Sequence, residues 1–166
     1  MQSLPFLRLA LLPLSLMAVD SAQGRDSLGI FESWGAFVDP SVPRCYAIAQ
    51  PVQRGRRATW QPFASVGSWP KANVRNQVHI RLSQARRPEA AVTLSIGDRR
   101  FALAAGTADA WAPDRQGDAA IVAAMRSATS MSVQTVDAGG RAFADVYALR
   151  GAATAIDAAA LGCARR

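Results

Sequence analysis

Few side chains in this sequence can carry out acid–base or metal chemistry. Its 166 residues include one histidine, His79, and two cysteines, Cys45 and Cys163. These numbers exclude a zinc site built from four cysteines, from two cysteines and two histidines, or from histidines alone. A hydrolase would have to use His79 as its base, with a serine such as Ser83 as the nucleophile. His79 is predicted in mid-strand, whereas catalytic groups lie more often on loops, which favours a protein without catalytic activity.

Two other patterns resemble functional motifs only in part. The letters SWPK at residues 68–71 match S-x-x-K, but the companion motifs S-D-N and K-T-G are absent. Asp109, Asp114 and Asp118 lie in one acidic loop, without the spacing or the closing glutamate of a calcium loop. Carboxylates at Asp114 and Asp118 are favourable at a helix N-terminus. The sequence therefore predicts no enzyme, no metal site and no cofactor.

Positive charge is the stronger signal. Lys and Arg number 19 against 12 Asp and Glu, for a net charge of +7. Arginine clusters attract phosphate, sulfate and carboxylate groups. Two loops form the candidate anion-binding or partner-binding site: Arg54, Arg56 and Arg57 in the first, and Arg86 and Arg87 in the second. The alternative is a solvated basic surface without a specific ligand.

The N-terminus has the pattern of a secretory signal peptide over residues 1–24. Arg8 precedes an apolar run at residues 9–19, which is shorter than the roughly 20 residues needed to span a bilayer. The small residues Ala22 and Gly24 fit a cleavage before Arg25. We expect export without a transmembrane segment, to the periplasm or in association with the outer membrane, and no nucleic-acid partner.

Export would place both cysteines in an oxidising compartment, where a pair of thiols usually forms a disulfide. Cys45 and Cys163 are 118 positions apart in the chain. A bridge that closes so long a loop stabilises a protein by up to about 5 kcal/mol in the chain-entropy description. The alternative is two buried free thiols.

Short alternating segments predict the fold. At residues 76–83, Val78 and Ile80 alternate with His79 and Arg81, as in a half-buried strand. Hairpins are predicted at residues 92–103 and 131–149, and helices at 115–128 (with Asp114 as its N-cap) and at 151–164. This pattern is typical of an antiparallel β-sandwich with one or two short helices, forming a single domain at residues 25–166.

Several segments together resemble the invasion-associated locus B family. They are Trp34-Gly35, Cys45, the run VTLSIG at residues 92–97, the helix at 118–128 and the run FADVYALRGAATAIDAAA at 143–160. The resemblance covers most of residues 30–162. It implies an exported β-sandwich without known enzymatic activity, linked in some pathogens to host-cell invasion. Many members have a close cysteine pair in mid-domain, which this chain lacks, and no invasion role is carried over.

We therefore expect an exported, non-enzymatic envelope protein. Its partner would be an envelope or host protein, or an anionic glycan or lipid. The alternatives are a periplasmic hydrolase that uses His79 and an envelope stress or assembly factor that holds unfolded proteins.

Overall fold

Antiparallel strands make up most of the structure, a computed structural model that describes residues 24–54, 58 and 60–164. The described residues form ten strands: β1 (Asp26–Phe31), β2 (Trp34–Asp39), β3 (Arg44–Ala49), β4 (Phe63–Trp69), β5 (Val74–Arg81), β6 (Val92–Ile96), β7 (Arg99–Ala105), β8 (Asp109–Trp111), β9 (Ser130–Val136) and β10 (Ala142–Ala148). They also form two helices, α1 (Arg115–Met125) and α2 (Ala152–Ala164). The predicted mainly β, antiparallel fold with short helices is confirmed. Residues 1–23, nearly all of the predicted signal peptide, lie outside the described residues.

The strands are hydrogen-bonded in one continuous sheet with the order β1-β2-β3-β4-β5-β8-β7-β6-β9-β10. The sheet folds over on itself, because β10 at its far end returns to the segment that follows β3. There the amide of Val146 donates to the carbonyl of Gln53 at 2.7 Å, and the amide of Val52 donates to the carbonyl of Val146 at 2.8 Å. This doubled sheet encloses one hydrophobic core.

Alternation along each strand gives the sheet a buried inner face and a more polar outer face. In β5, Val78 and Ile80 are buried while His79 and Arg81 point outward, as predicted. Strand β9 follows the same rule, with Met131 and Val133 in the core and Ser132 outside. The outer face is therefore the surface on which chemistry-bearing side chains collect.

Helix α2 fills the inner side of β1 to β4. Its buried residues are mainly alanines, whose small side chains let the helix lie close to the sheet. Gly151, at the start of this helix, has a φ of +84° and lies against the carbonyl of Phe31. A Cβ at Gly151 would collide with that oxygen, so only glycine fits there.

The predicted disulfide has the required geometry. Cys45 lies on the inner face of β3 and Cys163 in the last turn of α2, with their Cα atoms 5.7 Å apart and the two sulfurs bonded. The bridge ties α2 to the sheet that it fills.

Two strands were not predicted. The segment Asp26–Phe31 is the edge strand β1, and Asp109–Trp111, expected to be part of an acidic loop, is the short strand β8 between β5 and β7. The three residues of β8 are too few to carry a readable period, so this strand depends on pairing with its neighbours.

The helix-cap prediction for Asp114 is confirmed, since its Oδ1 accepts from the amide of Gly117 at 2.7 Å. Asp118 lies in the first turn of α1, but its Oδ1 also accepts a 2.7 Å hydrogen bond from the amide of Val78 in β5. Strand β8 pairs with β5 only at His79, Ile80 and Arg81. The carboxylate of Asp118 therefore takes the place of a strand partner for the amide of Val78. Burial is the main cause of a raised pKa for this carboxyl, which the hydrogen bond from Val78 partly opposes.

Candidate functional site

The two predicted arginine loops are both attached to the β9–β10 hairpin. Gln53, just before Arg54, forms a bridge with β10, and Arg86 forms one with Asp137 in the turn of that hairpin. Arg54 and Arg87 are exposed. Arg56 and Arg57 lie outside the described residues, so their part of the predicted site has no structural description.

The guanidinium of Arg86 donates hydrogen bonds to backbone carbonyls. Its Nε donates to the carbonyl of Gly106 at 2.6 Å, its Nη2 to that of Ala105 at 2.8 Å, and its Nη1 to that of Ala90 at 2.9 Å. A guanidinium has five donors, and most of those of Arg86 hold the end of β7 against the preceding loop. This contact set favours a structural role for Arg86, in addition to its charge.

Aromatic rings and charged groups collect on the outer face of β4, β5 and β8. We call this surface the ring face and define it by six residues: Trp60, Phe63, His79, Arg81, Asp109 and Trp111. The strand register places them side by side, because Phe63 pairs with Arg81, Arg81 with Asp109, and His79 with Trp111. All six side chains are partly exposed.

His79 lies at the centre of the ring face. Its imidazole stacks on Trp111 with the ring centroids 5.1 Å apart and the planes 5° from parallel. The edge of Phe63 meets the imidazole with a centroid distance of 5.1 Å. The Nε2 atom lies 2.8 Å from Oδ1 of Asp109, which fixes the orientation of the ring. These contacts fix the rings of Phe63, His79 and Trp111 next to one another on the outer face of the sheet.

Arg81 continues the same network. Its Nη1 lies 3.5 Å from Oδ2 of Asp109, and its guanidinium lies 5.2 Å above the ring of Trp60. The indole Nε1 of Trp60 donates to the carbonyl of Leu82 at 2.6 Å, which fixes the ring under the cation. An arginine ordered by a ring and a carboxylate loses less freedom when it binds an anion.

A second cluster of rings lies on the outer face of β2 to β4. Phe37 stacks on Tyr46 at 5.8 Å, and the guanidinium of Arg44 lies 4.7 Å above Tyr46. The ring of Trp69 covers Gly67, where a Cβ would lie 2.9 Å from the indole. The pairing of an arginine with an aromatic ring therefore occurs twice on this half of the sheet.

The structure does not bring the proposed hydrolase pair together. His79 and Ser83 are four positions apart in the chain, and of the two only His79 lies in β5. Ser83 was expected to face outward with His79 but is fully buried, and its amide donates to Oδ2 of Asp145 at 2.8 Å. The outward alternation ends because β5 ends at Arg81. The serine opposite His79 is Ser65, whose Oγ donates to the backbone carbonyl of His79 at 3.4 Å.

The three aspartates of the acidic loop take three separate roles. Asp109 contacts His79, Asp114 caps α1 and Asp118 binds the amide of Val78. Within the described part of the chain, no group of three or more His, Cys, Asp or Glu side chains is arranged to hold a metal ion.

Sequence reasoning missed Asp109 and Trp111 as neighbours of His79. They lie 30 and 32 positions beyond His79, in a strand too short to predict by itself. Alternation in β5 correctly indicated that His79 and Arg81 share one face, and this was the only available signal.

None of the helices in the described part of the chain has both the length and the apolar character needed to cross a bilayer. In comparisons with protein-family models, with curated proteins and with solved structures, nothing matches this chain.

Proposed function

We propose that this protein is an exported, non-enzymatic envelope protein that binds an anionic component of the cell envelope or of a host surface. The observation that carries the proposal is the ring face, where Arg81 lies between the ring of Trp60 and the carboxylate of Asp109 on a partly exposed sheet surface. Solvent-facing aromatic rings beside arginines are typical of binding surfaces.

Three features support export. The N-terminal segment has the charge and the short apolar run of a signal peptide. Cys45 and Cys163 are positioned as a disulfide, a bond found mostly in exported proteins. The resemblance to the invasion-associated locus B family points to the same compartment.

The contacts of His79 support binding rather than catalysis. Asp109 engages its Nε2, and rings pack against the imidazole on two sides. Ser83, the nucleophile predicted for a hydrolase, is fully buried beyond the end of β5 and does not share the face on which His79 lies.

The charge of the protein supports an anionic ligand. A net charge of +7 raises the rate of encounter with anions, and the effect weakens with salt because the Debye length falls to about 8 Å at 0.15 M. Binding should therefore weaken steeply as salt rises.

The experiment measures binding of the purified protein to polygalacturonate, to polyphosphate and to phosphatidylglycerol vesicles over a range of salt. We expect binding to at least one probe, and a larger loss in the double variant Arg44→Gln/Arg81→Gln than in Arg126→Gln/Arg150→Gln. The second pair removes the same charge and breaks two exposed ion pairs, which contribute about 1 kcal/mol or less each.

A third variant, with Arg54, Arg56 and Arg57 changed to Ser, measures the share of the predicted loop. No binding to any probe at low salt would refute the proposal. Equal losses in the two double variants would also refute it, because both remove two charges and equal losses would show attraction by net charge without a site.

A further inference from the structure

Only one side of the Trp111 indole plane contacts the other residues of the ring face. His79 lies in β5 on one side of it and stacks on the indole with parallel planes. On the other side, Trp111 pairs with Ala104 of β7. The second face of the indole is therefore directed over β7.

The surface beside this indole is built from very small residues. Ala102 and Ala104 both point outward from β7 and are exposed. Gly106, at the end of the strand, is so close that a Cβ there would lie 3.8 Å from Cζ3 of Trp111. Ala102, Ala104 and Gly106 thus form a flat surface beside the indole of Trp111, and we call this surface the floor.

The floor leads into a groove on the adjoining strands. Ala102 pairs with Thr93 of β6, which lines a groove of ≈ 610 Å³. The groove is also lined by Ser95, Arg100 and Gln134. The groove is shallow and largely open to solvent. Hydroxyls, an amide and a cation therefore line the end of the path that begins at the indole.

Arg100 supplies the charge of this path. It is exposed, follows the same outer face of β7 as Ala102 and Ala104, and makes no ion pair with a carboxylate in the part of the chain that the structure describes. An unpaired guanidinium takes a carboxylate in a two-pronged geometry.

We infer that the path from Trp111 across Ala104 and Ala102 to Arg100 binds an acidic oligosaccharide that contains uronic acids. This inference rests on the proposed function and names its ligand class. A sugar ring presents polarised C–H groups that the negative face of an indole attracts. Its hydroxyls match the side chains of Thr93 and Gln134, and a uronate carboxylate matches Arg100.

The experiment titrates the full protein with oligogalacturonate and follows the indole N–H signals by NMR. We expect the signal of Trp111 to shift more than those of the other three tryptophans. Trp111→Ala should weaken binding about tenfold, since an aromatic contact is worth up to about 1.5 kcal/mol. Ala104→Tyr, which blocks the floor and leaves every charge in place, should weaken it by a similar factor.

Ser130→Tyr is the matched control, because Ser130 is an exposed, outward residue of β9 that does not line the groove. It should bind oligogalacturonate as the unmodified protein does. Thermal unfolding of each variant shows that the fold survives. If Trp111→Ala does not fold, Ala104→Tyr tests the inference alone.

Polyphosphate, phosphatidylglycerol vesicles, a neutral oligosaccharide and a thymidine oligonucleotide are the competing probes. The inference is wrong if oligogalacturonate does not bind, if Ala104→Tyr binds it unchanged, or if the neutral sugar binds equally well. It is also wrong if the oligonucleotide or the vesicles bind more tightly and in a way that depends on Trp111. If this inference fails but polyphosphate or vesicles still bind through Arg44 and Arg81, the proposed function is not contradicted.

Discussion

The two outer faces of the doubled sheet differ in chemistry although their inner faces are alike. On β4, β5 and β8 the ring face carries Trp60, Phe63, His79 and Trp111 with their charged neighbours. On β6 and β9 the polar face carries Thr93, Ser95, Ser132 and Gln134. Both halves bury aliphatic side chains on the inside.

Core packing cannot explain this difference, because neither outer face contributes to the core. Solvent-facing positions of a strand tolerate most polar residues, whereas a contiguous cluster of partly exposed rings is typical of binding surfaces. The two faces meet at the outer positions of β7, which are small residues and Arg100. This boundary is where we place the sugar path.

Removal of the disulfide should have the largest effect, and it should destabilise one half of the sheet more than the other. Cys163→Ser removes the disulfide that ties α2 to the half carrying the ring face, and loss of a native bridge usually costs about 2–5 kcal/mol. Hydrogen exchange should increase more in β2 and β3 than in β6 and β9. The control is the reduced unmodified protein, which should match the variant in denaturant unfolding. Equal loss of protection in both halves would show that they unfold as one unit.

Replacement of Asp118 should have the next largest effect, through the strand edge beneath the ring face. Asp118→Ala leaves the amide of Val78 without its acceptor, which costs about 1–3 kcal/mol for a buried donor. Asp118→Asn keeps an oxygen acceptor and should cost less. Denaturant unfolding at neutral pH measures both variants, and an equal cost would contradict the hydrogen-bond explanation.

The same pair of variants has a pH signature. Because the folded-state pKa of Asp118 is raised above its ordinary value of 3.8, protonation favours the folded state, and this contribution is lost as pH rises through the folded pKa. Asp118→Asn cannot lose it. The variant should gain stability relative to the unmodified protein as pH rises from about 4 to 7.

Gln134→Ala tests the polar face as part of the sugar path. The variant should bind oligogalacturonate several-fold more weakly, since a neutral hydrogen bond contributes about 1 kcal/mol. Its free energy of unfolding should change by no more than about 0.5 kcal/mol, because Gln134 is exposed. Unchanged binding, measured by the same titration, would confine the ligand to the ring side of β7.

The smallest expected effect concerns acid stability and the two hairpin turns. Asp39 is the last residue of β2, and Ser41 lies in the turn that follows. The pKa of Asp39 is lowered mainly because the hydroxyl of Ser41 donates a hydrogen bond to its carboxylate. Asp137, in the turn after β9, has a lowered pKa mainly because the amide of Arg141 donates to it. The stability that each carboxylate contributes is present above pH 4 or so and is lost as pH falls through the folded pKa.

Asp39→Asn and Asp137→Asn should each make the stability less sensitive to pH below about 4. Unfolding curves between pH 2 and 6 would measure this, and a steeper acid loss in either variant would contradict it. A difference between the variants would show which of the two carboxylates contributes more to the acid sensitivity.

Local patterns were sufficient for a large part of the fold. Alternation in residues 76–83 predicted β5 and its two faces, and Asp114 predicted the start of α1, because these features depend on neighbouring residues in the chain. The cysteine pair predicted a link between β3 and the C-terminal helix. The mainly β class followed from many such short segments.

The candidate site depended on contacts that the sequence does not encode locally. His79 and Asp109 are 30 positions apart, and only the pairing of β5 with β8 brings them within 2.8 Å. Ser83 looked exposed by alternation, yet the strand ends before it and the chain turns inward toward Asp145. Local sequence patterns were enough to predict which residues alternate and which could cap a helix or form a disulfide. Which strands pair, and therefore which rings and charges share a face, depends on the three-dimensional fold, because strand pairing joins residues that are distant in the chain.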